Sequence, residues 1–213
     1  GGGEGGGSRG FRSMGKPFMP SYKGGILRHA EDLGRRLLKA FDTPTGMPYA
    51  WVNLKTGVRP GEVTETNVAA VGSFILEFAM LSRLTGDPCF EDAAKNAIRT
   101  MWALRSKLDL LGNTLDVVRG TWINRSGGIG AGCDSFFEYL LKAYVMLGDE
   151  EYYLMFTDAY VGVMKHYHDD GWYHEALMDT GAATHIQATS LQAFWPGMQV
   201  LLGDVESAAC RRS

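Results

Sequence analysis

The chain has 213 residues, 45% hydrophobic and 21% charged, which is enough for one real core, and its formal net charge is −3. That balance gives no electrostatic case for nucleic acid or an anionic membrane surface. No uninterrupted apolar run approaches the length of a membrane span, so no transmembrane helix is expected, and no secretory leader reads from residue 1.

Residues 1 to 22, "GGGEGGGSRGFRSMGKPFMPSY", are glycine runs with few apolar side chains. They are expected to be disordered, because too little surface can be buried to offset the entropy of ordering. From Gly25 the pattern turns helical: Ile26, Leu27, Ala30, Leu33, Leu37, Leu38 and Phe41 recur at spacings of three and four. Pro44, Gly46 and Pro48 then break the helix. Further helices are expected over about 67–85, 88–107, 134–147, 150–168 and 185–202, the last bent or interrupted at Pro196. Residues 110–123 read as two short strands around Arg119-Gly120, and "GWYHEALMDTG" as another short pair.

Three stretches share one plan: "LSRLTGDPCFEDAA", "KAYVMLGDEEYYLMF" and "GMQVLLGDVESAAC". An apolar helix ends at Gly86, Gly148 or Gly203, and Asp87, Asp149 or Asp204 follows as a cap for the next helix. The repeat predicts stacked helical hairpins with strand insertions, hence a solenoid or a closed α/α toroid with the strands at one end beside a pocket.

Within "GGIGAGCDSFFEYLLKAY" (127–144), Asp134 falls where a helix should begin and Glu138 follows one turn later on the same face. Asp134 can be read as an N-cap or as a functional acid. Two like charges at this spacing destabilise a helix by roughly 0.2–0.5 kcal/mol. Phe136, Phe137, Leu140, Leu141 and Tyr144 leave little of the helix to water, which argues for a polar cavity at its mouth. Glu77 in "SFILEFAML" poses the same choice between an exposed position and a pocket acid. Trp122, Phe136, Phe137, Tyr139, Trp172, Tyr173, Phe194 and Trp195 lie in or beside the same elements, and are either sugar platforms or core.

Other motifs carry less. Gly128, Gly130 and Gly132 imitate a phosphate-cradling loop, but no βαβ pattern surrounds them and Asp134 would repel a phosphate. His166-Tyr167-His168 has no third metal ligand and reads as exposed histidines. Cys89, Cys133 and Cys210 have no metal-site spacing and form no closed disulfide framework, so they read as buried or free thiols. Asn124-Arg125-Ser126 is an Asn-x-Ser sequon, usable only in a secretory compartment.

The blocks "AEDLGRRLLKAFDTPTGMPYAWVNLKTGV" (30–58), "SFILEFAMLSRLTGDPCFEDAAKNAI" (73–98), "GIGAGCDSFFEYLLKAYVMLGD" (128–149) and "SLQAFWPGMQVLLGDVESA" (190–208) carry a resemblance to a known family. The chain resembles the family 47 glycoside hydrolases, the class I α-1,2-mannosidases, and most of all their ER degradation-enhancing α-mannosidase-like members. The resemblance implies an all-α fold, a partial (αα)₇ toroid with short β-hairpin insertions. Residues 23–213 would be the N-terminal to central part of the catalytic domain. It also implies inverting hydrolysis of α-1,2-linked mannose on N-glycans, with calcium as the cofactor of the complete domain.

By position, the resemblance makes Asp134 the catalytic aspartate, and Glu138 and Glu77 pocket acids. It implies high-mannose N-glycans on misfolded glycoproteins as substrates. The location would be the ER lumen, and the partner an oxidoreductase or another ER quality-control protein. The chain also departs from the family pattern. Ala70 stands where trimming mannosidases carry a Glu, and Thr66-Asn67-Val68 replaces a Thr-Cys-Thr. The family's proton-donor Glu and calcium-ligating Thr have no counterparts in these residues. The isolated chain is therefore expected to be inactive. Two alternatives stay open: a non-catalytic glycan-binding module and a helical scaffold for a protein partner.

Overall fold

The computed structural model describes residues 22–209, so the expected disorder of residues 1–21 and the state of Cys210 lie outside the described residues. Helix α1 (Gly25–Leu37) closes in a 3₁₀ turn (Leu38–Phe41). Arg35 and Arg36 pair with Glu31 and Asp32 one turn back, and the opposite face buries Gly34. A Cβ there would come within 2.5 Å of Leu81, so glycine lets α1 lie close against its neighbour.

The helix expected over 67–85 is instead two, α2 (Val68–Gly72) and α3 (Ile75–Thr85), with a break at Ser73 and Phe74. At the break Gly72 faces the ring of Phe136, and any side chain on Gly72 would clash with it. Residues 68–85 reach the length and mean hydropathy of a membrane span, 1.5 over 18 residues, although Glu77 and Arg83 interrupt the apolar run. The structure uses them as core: Val68, Val71, Ile75, Phe78 and Ala79 are buried.

Helix α4 (Cys89–Ala103) pairs with α3. Helix α5 (Asp134–Leu147) pairs with α6 (Glu150–His166). Both α4 and α6 end earlier than expected. The expected 185–202 helix is displaced. Residues 183–185 are a strand, a 3₁₀ turn covers Ser190–Phe194, and α7 runs Trp195–Leu202 with Pro196 in its first turn rather than at a bend. A short α8 (Val205–Ala208) follows.

Eight short strands form three antiparallel sheets among the described residues, more than the two expected pairs. Strands β1 (Glu65–Asn67), β2 (Thr114–Asp116) and β3 (Thr121–Asn124) form the first, in that order. Strands β4 (Ser126–Gly127), β7 (Glu175–Leu177) and β8 (Ala183–His185) form the second. Strands β5 (His168–Asp169) and β6 (Trp172–Tyr173) pair alone.

Gly86, Gly148 and Gly203 all end their helices in the left-handed conformation, at φ of 78°, 72° and 96°. Asp149 and Asp204 are N-caps that accept the amides of Glu151 and Ser207. Asp87 lies one residue before its helix's cap position, Pro88, yet still takes the Cys89 amide. Each of these aspartates also reaches an earlier helix: Asp87 to Arg35 on α1, Asp149 to Lys95 on α4, and Asp204 to Tyr160 on α6. The repeat is thus tied by one polar staple per hairpin.

Aromatic contacts make the core continuous. One run joins Phe41, Phe74, Phe78 and Phe90. Another joins Trp102, Phe136, Phe137, Trp195 and Tyr160. Each such side chain, fully buried, contributes about 1.5–3 kcal/mol. Phe136, Phe137 and Trp195 are therefore core and not sugar platforms. His166 and His168 are half-buried rather than exposed; the His166 ring lies against Gly181, and His168 accepts the Gly171 amide.

Candidate active site

The loop 127–132 is held from several sides. Gly127 lies so close to the Leu111 carbonyl that a Cβ would come within 2.2 Å of it. Asn113 donates to the Ala131 carbonyl at 2.7 Å, and the Ala69 amide donates to the Gly132 carbonyl at 2.8 Å. The amides of Cys133 and Asp134 both donate to the Gly130 carbonyl. Those amides are used within the loop and do not cradle an anion.

Asp134 is not the N-cap. Cys133 occupies that position, and Asp134 is the first residue of α5, where its carboxylate accepts the Ser135 amide at 2.9 Å. The carboxylate at this helix end is favoured by the helix dipole. Burial pushes the Cys133 thiol up to about 12, so this cysteine is an inert packing group.

Glu138 lies one turn further along and is half-buried. It is not unpaired: Lys142 Nζ sits 2.5 Å from its carboxylate, offsetting the repulsion expected between Glu138 and Asp134. Glu138 and Lys142, with Phe194, Gly197, Met198 and Leu201, line a cavity of about 190 Å³ between α5 and α7.

Glu77, in the first turn of α3, is exposed and accepts a 2.8 Å hydrogen bond from the Tyr139 hydroxyl. Burial first, and this bond second, push the Tyr139 phenol up to about 12, so it is a donor over all ordinary pH. Ser73 and Ser135 also bond, hydroxyl to hydroxyl, at 2.8 Å. Both pairs are separated by 62 residues, which sets the starts of α3 and α5 side by side in parallel register.

In that register Tyr139 is the repeat equivalent of Glu77. Glu138 is one residue out of step, about 100° around the helix axis. The structure therefore brings Glu77 to α5 through Tyr139, places Asp134 next to the Ser73–Ser135 bond, and leaves Glu138 with Lys142. Sequence reasoning missed Ser73, Ser135 and the donor role of Tyr139. The signal was available as the 62-residue step from Gly86 to Gly148.

A cavity of about 620 Å³ between α1 and α3 is lined chiefly by Ile26, Leu33, Leu37, Phe74, Phe78 and Leu81. Glu77 touches its rim, but Asp134 and Glu138 do not line it. Its apolar wall suits a packed helix rather than a sugar. Among the described residues no three His, Cys, Asp or Glu side chains gather to hold a metal ion. They supply no acidic ligand cluster for calcium.

A family model described as glycosyl hydrolase family 47 matches residues 16–210. Alpha-mannosidase I MNS5 of Arabidopsis thaliana is 59% identical over 188 residues, covering 88% of this chain and 33% of that protein. ER degradation-enhancing alpha-mannosidase-like protein 2 of Homo sapiens is 47% identical over 185 residues, covering 87% of this chain and 32% of that protein. Among solved structures, alpha-1,2-mannosidase from Trichoderma reesei matches with a TM-score of 0.68 at 27% identity, over 86% of this chain and 40% of that one. The chain thus spans about a third of the length of the curated relatives it matches.

Proposed function

The chain belongs to glycosyl hydrolase family 47, and from that premise we propose that it forms part of an α-1,2-mannosidase domain acting on high-mannose N-glycans in ER glycoprotein quality control. The paired start of α3 and α5 supports this reading: the Ser73–Ser135 and Tyr139–Glu77 bonds bring Asp134 and Glu77 to the same end of two parallel helices, with Glu138 one turn along α5 beside the α7 cavity. The stapled hairpins and the mannosidase-like fold support a partial (αα)₇ toroid. Acidic side chains at helix starts suit the hydroxyls of a sugar ring.

In this reading Asp134 accepts the proton of the attacking water, and its bond to the Ser135 amide fixes its direction. Glu77 and Glu138 bind mannose hydroxyls, Glu77 oriented by Tyr139 and Glu138 by Lys142. Inversion requires a second carboxyl about 6.5–9.5 Å away on the other side of the scissile bond. Glu138 cannot supply it: it is one turn from Asp134 on the same helix, where Cβ atoms are about 5–6 Å apart. The family resemblance places the proton-donor Glu in a segment with no counterpart in this chain, so the 213-residue chain alone is expected to be inactive.

That gap favours one second reading, a glycan-binding module that retains mannose without cleaving it. An ER-lumenal location and an oxidoreductase or other quality-control partner follow from the mannosidase reading and rest on no contact of their own. The test compares this chain with a version carrying the complete family domain. Mannose release from a Man-α-1,2-Man disaccharide by the complete domain only is the expected result. Retention on immobilised mannose without release by either supports the binding module, and neither retention nor release overturns both.

A further inference from the structure

We propose that Asn124 is an acceptor for an N-linked oligosaccharide during synthesis into the secretory lumen. This rests on the secretory route proposed above. Asn124-Arg125-Ser126 is the only Asn-x-Ser/Thr tripeptide in the chain. The fold leaves its acceptor free. Asn124 ends β3, where its backbone carbonyl takes the Asn113 amide at 3.0 Å, yet its side chain is exposed. The Asn124 Oδ1 accepts the Ser126 amide at 2.9 Å, an Asx turn that holds the carboxamide oxygen and turns Nδ2 away from the backbone. A bulky glycan on Nδ2 displaces no core side chain.

The structure also fixes when the transfer occurs. In the folded chain the Ser126 hydroxyl bonds to Thr184 and, at 3.4 Å, to Glu175, and Arg125 pairs with Asp179. These partners lie 49–58 residues downstream. A transferase needs the sequon extended and its hydroxyl free, so modification precedes the docking of β4 on β7. In the transfer, Asn124 Nδ2 forms a bond to C1 of the sugar of a lipid-pyrophosphate-linked oligosaccharide. The C1–O bond to the pyrophosphate breaks, the lipid pyrophosphate leaves, and Nδ2 gives up one proton. The glycan then stands one hydrogen-bonded residue, Asn113, from the loop that leads to Asp134.

The test expresses the full chain behind a cleavable secretory leader in eukaryotic cells and treats it with an amidase that removes N-glycans and converts the acceptor Asn to Asp. The expected result is one discrete mobility shift, abolished by the amidase, with the conversion mapped to Asn124. Asn124→Gln should abolish the shift and Ser126→Thr should preserve it. Because transfer precedes folding, the readout survives a chain that later misfolds. A chain whose leader has been removed, proving lumenal entry, but whose Asn124 is unmodified overturns the proposal. Mannose release by the complete domain is measured separately, so failure of the enzymatic reading is distinct from failure of this one.

Discussion

The Tyr139 hydroxyl on α5 donates a 2.8 Å hydrogen bond to Glu77 on α3, across a sequence gap of 62 residues. The bond joins equivalent positions of two successive hairpins, so one repeat supplies an acid and the next its donor. A hydrogen bond to a charged group is worth about 1.5–3 kcal/mol, more than most exposed contacts.

Tyr139→Phe removes the donor and keeps the ring. In the complete domain this change should raise KM for a mannose disaccharide about tenfold or more while kcat falls less, because Glu77 is assigned to binding. The phenol pKa is raised in the fold to about 12 from 10.0. A raised pKa means that the stabilisation is fully present below pH 10 and is lost as pH rises through about 12. Wild type should therefore lose stability over that alkaline window more steeply than Tyr139→Phe, as read by melting temperature against pH.

Two glycines test the backbone argument in opposite directions. Gly148 ends α5 at φ 72° with nothing within 4 Å of a Cβ position, so Gly148→Ala should cost about 1–2 kcal/mol through backbone strain alone. Gly197 lies inside α7 without positive φ and with equally open space. Gly197→Ala should stabilise by about 0.4–1 kcal/mol. Denaturant midpoints of the two variants measure both signs.

The boundaries of α5 were legible in the sequence because Asp134 and Gly148 punctuate it by local chemistry. The polar staples on Asp87, Asp149 and Asp204 extend the same glycine-aspartate signal. The break between α2 and α3 was not legible, because it comes from Gly72 packing on Phe136, a contact 64 residues away in sequence. The helical turn leading into α7 starts later than expected because Thr189 and Gln192 form a capping box, an N-terminal signal, at the 3₁₀ turn Ser190–Phe194. At the candidate site, Asp134 and Glu138 stand out by spacing. The Lys142 partner of Glu138 lies at i+4 and is equally visible, whereas the Glu77–Tyr139 pairing needed the register of two repeats.

The staple between α4 and α6 predicts acid sensitivity. Lys95 lies 2.5 Å from Asp149, and Arg99 2.6 Å from Glu151. The bond from Lys95 holds Asp149 below the usual carboxylate range, and the bond from Arg99 does the same for Glu151. Lowered pKa values stabilise the fold above the unfolded carboxylate range of about 4, and that contribution is lost as pH falls through the folded values. Lys95→Met should cost up to about 1 kcal/mol at neutral pH and flatten the loss of stability on acidification. Melting temperatures between pH 3 and 7 check this, and an unchanged acid profile would remove the staple from the account.

Apolar side chains stand exposed on α1, α5 and α6. Ile26 is 75% exposed on α1, and Val145, Leu154 and Val161 are each more than 60% exposed on α5 and α6. With the apolar cleft beside α1, these faces are expected to drive self-association of the 213-residue chain expressed alone. Light scattering should show oligomers or aggregate that the complete domain does not form. A monomeric chain that melts in one cooperative step would overturn this.

Asp134→Asn separates chemistry from helix-end stability. Asn keeps the shape of the side chain and can still accept the Ser135 amide, but it cannot take a proton or hold a water by negative charge. In the complete domain, loss of a positioned acid–base group should lower mannose release by about 10²–10⁴-fold. Stability should change little, because Asp134 is the first helical residue and not the cap, so only the dipole contribution of about 0.3–1 kcal/mol is lost. Released mannose and melting temperature are measured on the same sample. Near-normal release, with or without a lower melting temperature, would show that Asp134 serves only the helix end. The base would then have to be sought elsewhere in the domain.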